Sequence, residues 1–433
     1  MDNRVLDTYF FILFSFIPIS LVAGSAVSIT NILLIDLSFI FFLLYKKDFK
    51  FLSNNTVKII LLCCLYLIFN SIISKDSFIG AWRNFGFIRF VILFCAFNYF
   101  FYHKKFFHKV LIVWTVTLII ISIDIYLESF SGKNILGYGG TEYGRRIVSF
   151  FKDEPIVGGF VNAFYLMIIG YIFTFNESYS KKYKNFFLIF LIFLFLSILL
   201  TGERSNTIKA TLGLLIFYFI NGHFKPVQKV ISILVLLTLM GGLFFSFDPH
   251  NTKKNVGFTR DTNIEFLKLR YDGQFLHLIV EQFKPKGKRQ TNFEENQYFR
   301  IYRSAYNVFK NYPLFGVGNK NYRIETCENK INNDEYFCNT HPHQTYFEFL
   351  AEHGLIGSLI LLFIFFSIIF RKLKIILKSK NYLQLGCFIY LLILFIPILP
   401  SGAFFNDYNL TLFWINLSLM YSAGKETNIY SSN

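Results

Sequence analysis

The sequence predicts an all-α polytopic membrane protein with about 12 transmembrane helices and one large, partly helical periplasmic loop. Three observations carry this. Hydrophobic residues make up 54% of the 433 residues, and mean hydropathy is +0.45. They lie in blocks of about 20, the length that crosses an apolar layer about 30 Å thick, rather than at the amphipathic spacing of a soluble helix. Lysines crowd the short connections between alternate blocks, as they do where a chain retains Lys and Arg on the cytoplasmic side.

The blocks fall near 8–24, 28–45, 57–74, 86–102, 109–128, 155–175, 185–201, 206–221, 228–247, 354–371, 383–400 and 407–423. The first has no Lys/Arg-rich head and no small-residue cleavage site, so it reads as a retained span rather than a cleaved signal. Asp36 in the second and Asp124 in the fifth need partners at that depth; both, with Arg89 at the start of the fourth, read as structural. The 58 phenylalanines read as membrane filler rather than as a stacking surface.

Net charge is +16. The basic residues cluster at Lys46, Lys47, Lys50 and Lys58, at Lys104, Lys105 and Lys109, at Lys181, Lys182 and Lys184, at Lys225 and Lys229, and from Arg371 to Lys380. The connections between those clusters hold little more than Lys75, Arg83 and Arg204. Both termini are therefore expected in the cytoplasm, and the positive charge is a topology signal with no nucleic-acid partner. The chain divides into residues 1–247 (helices one to nine), a large periplasmic loop at 248–353, the last three helices at 354–423 and a cytoplasmic tail at 424–433.

That orientation puts 129–154, the turn at 201–205 and the large loop outside. Cys63, Cys64, Cys95 and Cys387 fall within spans and read as small hydrophobes. Cys327 and Cys338 lie in the loop, where an oxidising compartment favours a disulfide; a metal site is the lesser reading, since no CxxC spacing occurs. Between Gly132 and Gly159, Arg145 and Arg146 suit an anionic head group or a phosphate. Asp153 and Glu154 before Pro155 are equally well explained as helix N-terminus chemistry.

TGERS, Thr201 to Ser205, sits between two apolar spans, where Glu203 and Arg204 are costly unless paired or functional. They could anchor the turn as a pair. The preferred reading has Arg204 meeting a substrate anion while Glu203 orients it or accepts a proton. In the large loop, Lys253 to Arg289 reads as a solvated lid or lipid-facing surface. Phe299, Tyr302, Ala305, Tyr306 and Phe309 then recur at helical spacing, so an amphipathic helix is expected to end near Asn311. Arg300 and Arg303 share one of its faces. GVGNKNY reads only as a glycine turn, because no βαβ unit surrounds it. The loop closes on His341, Pro342 and His343. Two histidines without a third ligand make a poor metal site, whereas imidazole suits proton transfer near neutral pH.

Taken in order, RRIVSFFKDEPIVGG, TGERS, RIYRSAYNVFKNYPLFGVGNKNY and HPHQTYFEFLAEHGLIG resemble the O-antigen ligase and O-antigen polymerase superfamily of bacterial inner-membrane glycosyltransferases. The resemblance implies an undecaprenyl pyrophosphate-linked glycan donor, attacked with inversion by a sugar hydroxyl, without a metal or other cofactor. The acceptor is lipid A core for a ligase, the preferred reading, or a second lipid-linked glycan for a polymerase. Arg204 matches the family arginine after the GE pair, and His343 the more constant motif histidine, with His341 alongside. Arg300 or Arg303 supplies the loop arginine; the family's usual Trp is Tyr302 here, which leaves the choice open. Gln344 stands where Asn is usual. Both arginine pairs and Arg204 would bind pyrophosphate in an external cavity between loop and helices. A flippase or solute transporter would call for polar groups along several spans and repeat-like halves, which the sequence lacks.

Overall fold

The computed structural model describes residues 3–103, 106–139, 146–152, 154–175, 181–220, 297–328 and 336–431, with 226, 227, 230 and 234; for 3, 103 and 181–188 only the backbone is described. Among the described residues every regular element is helical. Seven helices among the described residues are long and apolar enough to cross a membrane: Arg4–Ala23, Ser25–Lys46, Asn55–Ile73, Ser77–Tyr102, Phe107–Ser131, Val157–Phe175 and Thr345–Ser379. They coincide with the first six expected spans and the tenth. The seventh is helical over Lys181–Leu200, the eighth, eleventh and twelfth are helical but shorter, and the ninth, 228–247, lies outside the described residues except for 230 and 234, as does the whole basic stretch 253–289.

The chain forms two compact units, Met1–Thr115 with Met167–Glu177 and Glu294–Asn433, and Val116–Leu166 with Ser178–Phe293. In the first, α1 (Asn3–Ala23) packs on α2 (Ser25–Lys46), which packs on α5 (Ile88–His103). α3 (Asn55–Ile73) turns sharply into the short α4 (Ser77–Gly86). Capping explains these boundaries. Asn54 accepts a hydrogen bond from Thr56 N at 2.9 Å, and the Asp76 carboxylate accepts from Phe78 N and Ile79 N at 2.9 and 3.2 Å, satisfying donors that a helix start leaves open. Phenylalanine fills the interior: Phe10, Phe14, Phe97 and Phe100 meet ring to ring. Arg89 pairs with Asp407, so the structural reading of that arginine holds. Both Asp36 oxygens are buried without a hydrogen-bond partner among the described residues.

α6 (Phe107–Ser131) and α7 (Val157–Phe175) contribute to both units, and α8 (Lys181–Leu200) and α9 (Arg204–Ile220) belong to the second. α10 (Gln297–Asn311) is the expected amphipathic helix, but of the residues expected on its apolar face only Ala305 is buried: Phe299, Tyr302 and Phe309 are half-buried, Tyr306 is exposed, and Ile301, Ser304 and Val308 are buried instead. Its buried residues Ala305 and Val308 join Val317, Tyr322 and Ala351 in a small core that also uses α11 (Tyr322–Glu328) and α12 (Thr345–Phe370). Cys327 and Cys338 form a disulfide, with Cα atoms 4.6 Å apart. α13 (Leu373–Ser379) and α14 (Tyr382–Ile393) follow, and α15 (Asp407–Ser422) packs against both α5 and α14.

α12 is broken. Gly354 has φ 64° and ψ −169°, a conformation essentially confined to glycine, so the groups on either side of it lose their intrahelical partners. The glycine turn supplies replacements. Val317 N and Gly318 N donate to the carbonyls of Ala351 and Glu352 at 3.0 and 2.9 Å, while Pro313 O and Leu314 O accept from Leu355 N and Ile356 N at 2.8 and 3.0 Å. A turn that reads from sequence as a mere connector therefore completes a broken helix. Buried backbone groups need such partners.

Candidate active site

The turn at 201–205 is built to enclose a carboxylate. Gly202, at φ 72°, lets the chain reverse between α8 and α9, and Ile147 N donates to Thr201 O at 3.3 Å. Glu203 then accepts hydrogen bonds from Gly158 N and from the Asn206 amide, each at 2.6 Å. A side chain on Gly158 would collide with Thr201 and Glu203, so glycine there permits the approach. Burial pushes the Glu203 carboxyl from an ordinary 4.5 up to about 7, against the opposing pull of Gly158 N–H, Asn206 and the Arg146 guanidinium. Arg204 is the first residue of α9 and half-buried.

Arg146 lies near this carboxylate because its loop is pinned. Glu128 accepts from Val148 N and Ser149 N at 3.1 and 2.6 Å, and Asp124 accepts from the Ser149 hydroxyl at 2.6 Å and from Ile135 N at 3.0 Å. Asp124 thus has the partners that its depth demanded. Arg145 and Asp153 lie outside the described residues.

The histidine motif belongs to the other unit and forms the N-terminus of α12. Gln344 is the cap, its side-chain oxygen accepting from Phe347 N at 2.9 Å. His343 precedes it at φ 56°, a left-handed conformation that costs a non-glycine residue about 1–3 kcal/mol unless its surroundings impose it. Its carbonyl accepts from Ser401 N at 2.8 Å. The His341 and His343 rings lie 3.9 Å apart between centroids. His341 Nδ1 is 3.0 Å from the Thr340 hydroxyl. Burial, then the neighbouring His343 and Lys320, push the His341 pKa down to about 3, so this imidazole is neutral at physiological pH and can accept a hydrogen bond.

Aromatic rings flank the pair. Tyr298 meets His343 edge-on at 6.2 Å, and Tyr302 stacks on Phe347 at 4.9 Å. Tyr302, at the position where the family's Trp is expected, therefore packs α10 onto α12. Arg300 and Arg303 are both exposed, and Arg300 lies 4.3 Å over the Phe337 ring.

Sequence reasoning missed the buried carboxylates just inside α12. Glu348 accepts from Phe404 N at 2.8 and 3.0 Å and more weakly from Phe405 N at 3.5 Å. Glu352 is 1% exposed, with Lys320 and Tyr322 N–H groups beside it. The available signal was two acids four apart, on one helix face, in a segment entering an apolar run, where charge is expensive. Among the described residues no group of three or more His, Cys, Asp or Glu is arranged to hold a metal ion.

A family model described as O-Antigen ligase matches residues 189–362. That range contains Glu203, Arg204, Arg300, Arg303, His341 and His343, whereas Arg145 and Arg146 fall upstream of it. No curated protein matches the chain at a significant level. The match and the motifs quoted above make this integral membrane chain similar, over residues 189–362, to the O-antigen ligase/polymerase superfamily, whose members transfer glycans.

Proposed function

We propose that this protein is an inverting glycosyltransferase that moves a glycan from undecaprenyl pyrophosphate to a sugar hydroxyl at the periplasmic face of the bacterial inner membrane, acting as an O-antigen ligase on lipid A core. The family match across 189–362 carries the reading, because it includes the arginine and histidine motifs in the order that the chemistry uses them.

The acceptor oxygen attacks the anomeric carbon as the carbon–oxygen bond to pyrophosphate breaks, and undecaprenyl pyrophosphate departs. Its growing negative charge calls for fixed cations, and arginine serves by bidentate hydrogen bonding. Arg204 and Arg303 take that part, with Arg146 held beside Glu203 as an auxiliary charge. The hydroxyl proton passes to His343, whose ring stands at the N-terminal end of α12. Neutral His341, packed against it, orients the acceptor. Glu203 holds the turn that carries Arg204.

Deletion of the gene in its host, with Arg204→Ala and His343→Ala complements, tests the reading on a surface-glycan gel. Ligase activity predicts that each variant leaves the core bare while lipid-linked polymer accumulates. Single repeats on core would reassign the protein as a polymerase. Unchanged glycan in both variants would remove these residues from the site.

A further inference from the structure

We propose that Glu348 is a positioning residue that holds His343 in its working conformation through the segment 395–405. The inference rests on His343 being the base.

His343 is held from outside its own helix. Its carbonyl accepts from Ser401 N at 2.8 Å, and the following Thr345 hydroxyl lies 3.4 Å from that of Ser401. Ser401 belongs to the connection between α14 and α15, which has no regular structure around it: residues 396–403 form neither helix nor strand. Such a connection would not hold a partner in a left-handed conformation unaided. It is even strained itself, since the β-branched Ile398 sits at φ 74° and is 79% exposed, a conformation that L side chains adopt only when their surroundings enforce it.

Three contacts from α10 and the first turn of α12 do the enforcing. Tyr346 OH donates to Phe395 O at 2.7 Å, and Tyr302 OH reaches Ile398 O at 3.5 Å. Glu348 takes Phe404 N on both oxygens. Only the last uses a carboxylate, which takes the N–H on two oxygens, and it is 1% exposed. Lys320 and Arg83 face the same carboxyl group, and Glu352 lies one helical turn on. Around it, the Phe404 and Phe405 rings pack on Phe349, Phe365 and Phe413. Glu348 thus fixes one end of the segment, Phe395 fixes the other, and Ser401 between them holds His343.

The test compares Glu348→Ala with Glu348→Gln, which keeps one oxygen for Phe404 N. In the purified full chain in detergent, diethyl pyrocarbonate labelling of His343 at pH 7 is followed by peptide mass spectrometry, with exposed His108 as internal reference. In complemented deletion cells, ligated glycan is followed on gels. Glu348→Ala is expected to change the His343 labelling rate at least several-fold with His108 unmoved, and to lower glycan transfer by about 100-fold, the scale of an ångström's misplacement of a reacting group. Glu348→Gln is expected to restore most of both. Unchanged His343 labelling in both variants overturns the proposal, as does a Glu348→Gln variant no better than Glu348→Ala while retaining wild-type thermal stability. If His343→Ala keeps full activity while Glu348→Ala still alters labelling, the positioning contact stands and the assignment of the base falls.

Discussion

A carboxylate buried as Glu203 is binds its proton more tightly in the folded chain than in the unfolded one, even against the pull of its two hydrogen-bond donors. Its pKa rises from 4.5 to about 7, so between those values the native state holds the extra proton. The sign follows: unfolding free energy falls as pH rises through that window and is flat outside it, with an upper bound of about 3 kcal/mol. The thermal midpoint of the wild-type chain in detergent should therefore drop between pH 5 and pH 8, and Glu203→Gln should drop less. An equal slope in both would show that Glu203 titrates at its ordinary value. Among the loop arginines, Arg303→Ala should lower glycan transfer at least about tenfold, the loss of a charge-assisted contact to a phosphate. Arg300→Ala, which removes a guanidinium already stacked on Phe337, should cost less; the reverse order would exchange their roles. TGERS and HPHQ were legible because charge and imidazole beside apolar runs are conspicuous. Glu348 was passed over because an acid in a first helical turn has an ordinary explanation in the helix dipole; Glu352, a turn further on, has no such explanation.

At the scale of elements, the buried face of α10 was misassigned, to the aromatic residues rather than to Ile301, Ser304, Ala305 and Val308, because what covers a helix is set by distant elements, although its helical period was readable. The break in α12 was not, because its cause is remote in sequence: the turn at 313–318 completes hydrogen bonds that Gly354 opens some 40 residues later. Periodicity reports local order, whereas this pairing depends on which distant backbone has no partner. Gly354→Ala should consequently be costly twice over, first through the glycine-only backbone conformation, about 1–3 kcal/mol, and second because the added carbon meets the Leu314 backbone. Gly24 offers the control. It too has positive φ, at 123°, but open space around it, so Gly24→Ala should lower the thermal midpoint in detergent clearly less than Gly354→Ala. Equal losses would mean that the contact between turn and broken helix contributes nothing to stability.

For the whole molecule, the spacing of lysines assigns sides of the membrane, and the cysteines provide a means of measuring them. Cys327 and Cys338 are bonded to each other, while Cys63, Cys64, Cys95 and Cys387 are free and buried. Disulfides persist in oxidising compartments and are rare in the cytosol, so this bond fits the periplasmic side proposed for the segment that carries it. A membrane-impermeant maleimide applied to cells with permeabilised outer membranes should label the wild-type chain only after reduction, and Cys327→Ser should expose one thiol to labelling at Cys338 without reduction. Lys378→Cys, in the basic connection after α12, should stay unlabelled until the inner membrane is broken. Labelling of Lys378→Cys in intact spheroplasts would reverse the orientation, and would leave the histidines of α12 facing a compartment without lipid A core acceptors. A side-of-membrane measurement therefore tests the proposed chemistry before any substrate is identified.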